Sequence, residues 1–559
     1  MSDETFDLVI VGSGGGGLVA ALAAADAGLR PVVLEKQQNL GGSTGMSGGV
    51  VWMPNNPLMQ AEGVPDSVEE GMAYFDSVLG PPDAGSSLER RRAYLTHGSA
   101  MISFLQRRGL RFVRCEGYAD YYDDRPGGCA RGRSIEGVPW DGNQLGEWRD
   151  RIIPGMGRGI GMALRTNEAR DVPMAYRTAR TFGVSARVVA RTYLGKLRHQ
   201  DLFTNGMSLV GQLTLALLHA GVTLRLGTSV DELVVEDGRV AGVRAVHDGT
   251  PTLIRGTRGV LLAAGGFEHN AEMRRKFTAG SDQPADGTYS WGNRGNTGEV
   301  LEAAIALGAR TEYMDEAIWL PNPRAELSGT AAGQGRYLPR SIMVNAHGAR
   351  FVNEGNSYME IGQAMHRHDA VPAWLIFDDV FRRRYPWARE LPRPSRFKAA
   401  LPGRMPPHLL ANGWIRAAGT VADLARLIGV PAEALVNTVT RFNEQVASGS
   451  DPDFGRGASA YNRALADPGN RPNPALGPLD TGPFYATEVF PADIGTSGGV
   501  VCDEFARVLD SAGAPINGLY AAGNMSATVM GRSYLGAGAS IGNSMVFGYI
   551  AARNAAALL

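Results

Sequence analysis

Cysteine is scarce: Cys115, Cys129 and Cys502 are the only three in 559 residues. They are too few and too scattered for a disulfide framework, a CxxC metal pair, the CxxCH of an attached haem or the spacing of an iron–sulfur cluster. Electrons collected by this chain would therefore leave to an external acceptor. No uncharged apolar run reaches the length of a membrane span. Nor does one sign of charge dominate, because 55 Lys and Arg stand against 56 Asp and Glu for a formal net charge of -1. That leaves no long-range field to gather nucleic acid or an acidic membrane. The opening residues Met1-Ser2-Asp3-Glu4-Thr5 show no basic start, apolar stretch or cleavage site, the pattern expected of a cytoplasmic protein. No metal site and no nucleic-acid partner are expected.

Glycine, by contrast, is abundant, and it is concentrated where it carries meaning. The apolar run Phe6-Asp7-Leu8-Val9-Ile10-Val11 ends in Gly12-Ser13-Gly14-Gly15-Gly16-Gly17; a helix, a second strand Arg30-Pro31-Val32-Val33-Leu34 and Glu35 follow. Strand, glycines, helix, strand and acid in that order form the dinucleotide fingerprint. Gly12 permits the tight turn, Gly14 admits pyrophosphate, Gly17 lets helix and strand pack closely, and Glu35 accepts from a ribose hydroxyl. The competing reading is a glycine-rich loop in an ordinary α/β protein. After the acid come Lys36, then Gly41-Gly42-Ser43-Thr44 and Ser47-Gly48-Gly49, small residues that suit a flavin and that an NAD site does not require. Two later strands end in similar residues, one in Ala264-Gly265-Gly266 and the other in Gly523-Asn524. Three separated segments therefore point to one FAD site, to which Gly15, Val230, Ser540 and Ile541 are also assigned.

On these residues the chain resembles the fumarate reductase and succinate dehydrogenase flavoprotein superfamily over nearly its whole length. The fold class this implies is α/β with an α+β cap: a Rossmann-like FAD-binding domain in two sequence parts, interrupted by a substrate-capping domain. Residues 1–310 are expected to form the first part, with a helix near 206–221 and a ribbon near 222–246 that the superfamily places by the adenine. Residues 311–482, where Pro386, Pro392, Pro394, Pro402, Pro406 and Pro407 break the strand-glycine-helix rhythm, are expected to form the cap, and 483–559 the second part. Members with covalent flavin carry a histidine near the second glycine motif; Ser43 stands here, so noncovalent FAD is expected. Residues of a basic insertion at about 151–205 include ten Arg or Lys between 151 and 198 against Glu168 and Asp171. Two readings stay open for it: peripheral contact with a membrane surface, or a solvated helical insertion at a subunit contact.

Three tyrosine-bearing motifs bear on the reaction: Gly117-Tyr118-Ala119-Asp120-Tyr121-Tyr122, Arg350 to Tyr358 (RFVNEGNSY), and Gly531 to Gly542 (GRSYLGAGASIG). Singly, a tyrosine is most often a packing residue with a satisfied hydroxyl. Beside a flavin, the three resemble the 3-ketosteroid Δ1-dehydrogenases. By that resemblance the Tyr534 hydroxyl and the Gly538 N–H clamp the ketone oxygen, Tyr358 removes the α-proton, Tyr121 assists it, and the β-carbon gives hydride to flavin N5. Glycine at 538 is expected because a side chain would obstruct the oxygen's approach. Relatives that reduce fumarate carry an arginine where Tyr358 stands and a histidine near the segment Asp493 to Gly499, which has none. The clamp departs from the common Tyr-Pro-Gly-Pro-Gly pattern, since it reads Tyr534-Leu535-Gly536-Ala537-Gly538, and Asn543-Ser544 replaces the usual proline and alanine. Substrate size therefore stays open. The alternatives are a desaturase of smaller cyclic ketones such as cyclohexanone, a ketosteroid Δ4-(5α)-dehydrogenase, which should lack Tyr121, and a flavin-binding redox carrier. The expected partners are a ketone substrate and an external electron acceptor such as a quinone.

Overall fold

The apolar run at the start becomes β1 (Ser2–Val11), and the glycines after it open α1 (Gly15–Asp26). The computed structural model describes residues 2–156, 158, 161–247, 249–281, 285–323, 331, 333, 335–387 and 402–557; Pro392 and Pro394 lie outside them. β1 is flanked by two parallel neighbours, β2 (Pro31–Leu34) and a long later strand that runs beside its whole length. Strands covered on both faces need no alternation, which is why β1 and β2 read as continuous apolar runs.

Helix α2 (Ala179–Leu197) lies within the basic insertion, and α3 (Asn205–His219) follows it. Next come β3 (Thr223–Arg225), β4 (Thr228–Glu236), β5 (Arg239–His247) and β6 (Thr250–Leu262). β4, β5 and the first half of β6 form an antiparallel ribbon, while β6 lies parallel to β1 on its other edge from Thr252 to Leu262. Near the C-terminus β7 (Arg507–Leu509) and β8 (Pro515–Ala521) complete the sheet, whose order is β7-β8-β6-β1-β2-β3 with β5 on β6 and β4 on β5. The last helix, α4 (Ala539–Ala555), packs on α1 so closely that a Cβ on Gly548 would sit 2.2 Å from the Gly16 carbonyl oxygen.

A separate five-stranded antiparallel sheet is built from Asn322–Pro323, Ser341–Val344, Ala373–Asp378, Arg416–Ala418 and Phe484–Phe490. Its central strand Ala373–Asp378 is wholly buried because both faces are covered. Leu375 and Phe377 join a core with Phe381 and Tyr485, while Trp374 and Ile376 join another with Leu424, Leu435 and Phe442. The chain re-enters the first body through Asp493–Thr496, which pairs antiparallel with Ala317–Trp319. Among the described residues no helix is long and apolar enough to cross a membrane.

Candidate active site

β1 turns into α1 through Gly12, whose φ is +105°; a Cβ there would lie 2.3 Å from the Ala263 carbonyl oxygen, and one on Gly17 would lie 2.1 Å from that of Gly12. Both positions therefore require glycine. A Cβ on Gly14 would meet only Thr44 Oγ1 at 3.9 Å, and one on Gly42 only the Gly14 Cα at 3.9 Å. The space before the first turn of α1 is open at the positive end of its dipole, the surroundings a pyrophosphate needs. Thr44 Oγ1 accepts from Gly15 N (3.0 Å). Buried Glu35 ends β2, accepting from Ser13 N (3.1 Å) and Oγ (2.6 Å) on one oxygen and from Gln37 N (2.9 Å) on the other. These residues fit FAD. The Lys36 ammonium turns to Thr297 Oγ1 (2.7 Å) and Glu299 (3.1 Å) at the surface, and Val230 is buried in β4 opposite Ala245.

Ser43 Oγ accepts from Asn296 Nδ2 (3.1 Å) and Asn293 N (3.4 Å). Ser47 Oγ donates to the Thr44 carbonyl (2.7 Å) and accepts from Gly49 N (3.0 Å), and Thr166 Oγ1 donates to the Gly48 carbonyl (2.6 Å). Ala264 and Gly265 follow β6, with Gly265 backed by the Asn296 amide and Gly266 by Thr496 Oγ1, while Gly523 faces Ser544 Oγ and Asn524 faces Gly495.

Asn296 Nδ2 also donates to Glu268 Oε1 (2.7 Å). Glu268 is buried, and burial, reinforced by Asp493 and opposed by Asn296, pushes its carboxyl up to about 7. A carboxyl raised above its unfolded value of about 4.3 favours the fold while protonated, so that contribution is lost as pH rises toward 7. The FAD-loaded protein should lose thermal stability between about pH 5 and pH 8, and Glu268→Gln should flatten the slope. Melting curves with equal slopes in both proteins would exclude Glu268 as the source.

The three tyrosines meet. Tyr121 and Tyr358 have ring centroids 5.2 Å apart at 77°, Tyr121 and Tyr534 are 5.8 Å apart, and Tyr358 and Tyr534 are 5.4 Å apart. Tyr358 is the first residue of the helix Tyr358–Arg367. The turn that delivers it is held from inside by buried Glu354, which accepts from Arg350 Nε and Nη2 at 2.8 Å each. Tyr121 N donates to the Leu535 carbonyl (3.1 Å). Tyr74 OH donates to that same carbonyl (2.8 Å) and accepts from Tyr122 N (3.1 Å), so the first and third motifs are tied together. Tyr534 OH shares a hydrogen bond with Ser540 Oγ (2.9 Å) and accepts from Ser540 N (3.3 Å) at the start of α4, where Ile541 is buried.

Burial pushes the Tyr358 phenol well above its ordinary value; Tyr534 beside it pushes the same way, and hydrogen bonding to Tyr121 works against both. Burial likewise raises Tyr121. Gly538 caps α4 with φ +88°, and a Cβ there would stand 2.0 Å from the Val50 carbonyl oxygen. The neighbouring backbone by itself therefore requires glycine at 538.

One further residue at this cluster, Tyr461, carried no recognisable sequence signal. Tyr461 lies 4.6 Å from Tyr121 by ring centroids, and Asp123 accepts from the Ala460 and Tyr461 N–H groups at 2.9 Å each. Asp120, inside the quoted first motif, is buried and accepts from Trp52 Nε1 (2.8 Å), Arg133 Nη1 (2.8 Å) and Cys129 N (3.0 Å). Burial lifts its carboxyl to about 6 against the pull of Arg133. It anchors the backbone beside Tyr121.

The family model of the FAD binding domain matches residues 7–541. A 3-oxosteroid 1-dehydrogenase from Mycolicibacterium smegmatis is 40% identical over 576 residues, covering 100% of this chain and 98% of the relative. The 4-oxocyclohexanecarboxylate 2-dehydrogenase of Sinomonas cyclohexanicum is 34% identical, covering 99% and 93%. Among solved structures, the 3-ketosteroid Δ1-dehydrogenase of Sterolibacterium denitrificans in complex with 1,4-androstadiene-3,17-dione superposes with a TM-score of 0.87 at 34% identity, covering 99% of this chain and 100% of that one. The open α1 cradle and the converging phenols thus sit in a chain that belongs to the FAD-binding family of the 3-oxosteroid 1-dehydrogenases, as an FAD-dependent oxidoreductase acting on CH–CH groups.

Proposed function

We propose that this chain introduces the C1–C2 double bond into the A ring of 3-ketosteroids. The observation that carries the reading is the convergence of Tyr121, Tyr358 and Tyr534 beside the Gly538 cap, from segments hundreds of residues apart. Tyr534 OH and Gly538 N–H donate to the ketone oxygen, and their bonds strengthen as that oxygen gains enolate charge, a stabilisation of several kcal/mol. Tyr358 takes the acidified α-proton. In the resting protein its own proton is firmly held, so Tyr121, which donates to the phenolate, lowers the cost of releasing it. Bound FAD supplies the acceptor for the β-hydride at N5. Ser43, engaged by Asn296 and Asn293, offers no histidine nitrogen, and FAD is held without a covalent bond. With no haem or cluster motif in the chain, the electrons pass to an external acceptor of the quinone type. Domains at 1–310, 311–482 and 483–559 suit this division of labour, the middle one capping the substrate.

A second reading, desaturation of a smaller cyclic ketone, is favoured by Leu535 and Ala537 in the clamp and by the likeness to the cyclohexanone-type relative. Tyr121, packed on Tyr358, speaks against a Δ4-(5α) enzyme. Anaerobic androst-4-ene-3,17-dione should bleach the bound flavin within the mixing time and yield a product two hydrogens lighter, and cyclohexanone should not. Acid precipitation of the same preparation should leave the flavin in the supernatant. Bleaching by cyclohexanone alone would replace the steroid reading with the second, and flavin retained on the pellet would refute noncovalent binding.

A further inference from the structure

We propose that Glu268 balances the charge of the bound flavin, gaining a proton when FAD is reduced and releasing it on reoxidation. The carboxyl is built into the site. Glu268 stands two residues beyond Gly266, at the end of a glycine segment assigned to FAD, and it is fully buried. Three glycines make room for it. A Cβ on Gly266 would lie 2.8 Å from Glu268 Oε2, one on Gly292 would lie 2.3 Å from Oε1, and one on Gly495 would lie 3.6 Å from Oε1. Asn296 ties the carboxyl to the second glycine motif, because the same Nδ2 donates to Glu268 Oε1 (2.7 Å) and to Ser43 Oγ (3.1 Å). Oε2 takes part in no hydrogen bond among the described residues.

A buried carboxylate needs a cation or a full set of donors to stay ionised, and the groups around Glu268 provide neither. Arg274, from the helix Ala271–Thr278, pairs with Asp493 of the strand Asp493–Thr496 (3.4 Å). Asp493 itself opposes ionisation of Glu268. His269 turns its Nε2 to the Gly292 carbonyl (3.0 Å), and Arg294 on the loop that carries Gly292 is exposed. Ser43, Asn296 and Thr496 are neutral. Burial among these groups holds the carboxyl at about 7, so it changes state in the neutral range. A cleft of about 490 Å³ reaches Asp493 and Trp319 at the edge of this cluster.

The reaction supplies the coupling. A hydride carries two electrons and one proton, so its transfer leaves one extra negative charge on the flavin. Uptake of one proton by the Glu268 carboxylate cancels that charge in surroundings where an uncompensated one is costly. On reoxidation two electrons and two protons leave together, one proton from the flavin and one from Glu268, which is what an acceptor of the quinone type takes up to form a quinol. This rests on FAD as the hydride acceptor and not on which ketone is oxidised.

The test is the midpoint potential of the FAD-loaded full chain, followed spectroelectrochemically from about pH 5.5 to about pH 9. In wild type the potential should fall with the slope of one proton per two electrons below about pH 7 and with twice that slope above it, where Glu268 is ionised in the oxidised protein. Glu268→Gln should keep the shallower slope throughout and lie above wild type at alkaline pH, and Glu268→Asp should restore the break. Wild type alone also decides, whether or not the variants load flavin. Its reduced-minus-oxidised infrared spectrum at about pH 8 should gain a carboxylic acid C=O band and lose carboxylate bands. A single unbroken slope in wild type, a break that survives in Glu268→Gln, or an infrared difference without a carboxylic acid band would each overturn the proposal.

Discussion

Tyr358→Phe should keep its FAD, bind steroid with nearly unchanged affinity and turn over about 10²- to 10⁴-fold more slowly, the usual cost of removing a general base. The substitution deletes one oxygen. The ring remains to pack between Tyr121 and Tyr534 at centroid distances of 5.2 and 5.4 Å, so loss of structure cannot account for the fall, and a melting curve checks this. Because burial holds the Tyr358 proton in the resting protein, turnover of the wild type should climb as pH rises. Tyr121→Phe should move that climb to higher pH with a smaller loss of maximal rate, since it removes the donor to the phenolate and not the base itself. Wild-type-like turnover by the Tyr358 variant would reassign the base, with Tyr121 the first group to test.

What could be read from the sequence was whatever depends on local backbone demands. Gly12, Gly14 and Gly17 each do in the structure what their spacing implies, since a strand-to-helix turn leaves one position with positive φ, one facing open space and one against a carbonyl. The helix expected at 206–221 spans Asn205–His219, and the ribbon expected after it is present. Tyr121, Tyr358 and Tyr534 are singled out by the resemblance of their motifs to those of the 3-ketosteroid Δ1-dehydrogenases, since no local backbone demand distinguishes them from packing tyrosines.

Contacts made across the fold leave no such trace. Tyr461 sits in a plain Ser-Ala-Tyr-Asn stretch and joins the cluster only because Asp123, far away in sequence, binds its backbone. The constraint on Gly538 comes from Val50, nearly five hundred residues earlier. In the basic insertion, composition gave the charge but not its direction. Arg177 and Arg191 are spent on the buried carboxylates of Asp467 and Glu168, and only the fold separates them from exposed Arg187 and Arg198.

Tyr534→Phe should lower turnover by about 10²- to 10³-fold, the effect of deleting one oxyanion donor. Steroid affinity should change much less, because the donor acts on charge that appears in the transition state; kcat should therefore fall while KM stays close to wild type. The Tyr534 hydroxyl also accepts from Ser540 N and shares a hydrogen bond with Ser540 Oγ, so its removal disturbs the start of α4 as well as the clamp. Ser540→Ala separates the two contributions: it loosens the hydroxyl's support while leaving the donor, and its loss should be the smaller. Exchange of the substrate's α-hydrogens with deuterated water, followed anaerobically, then isolates the step. A clamp that stabilises enolate charge must speed this exchange, and Tyr534→Phe should slow it together with desaturation. If exchange proceeds at the wild-type rate while desaturation collapses, the hydroxyl orients the ring rather than holding the oxygen, and the enolate must draw its stabilisation from the Gly538 N–H alone.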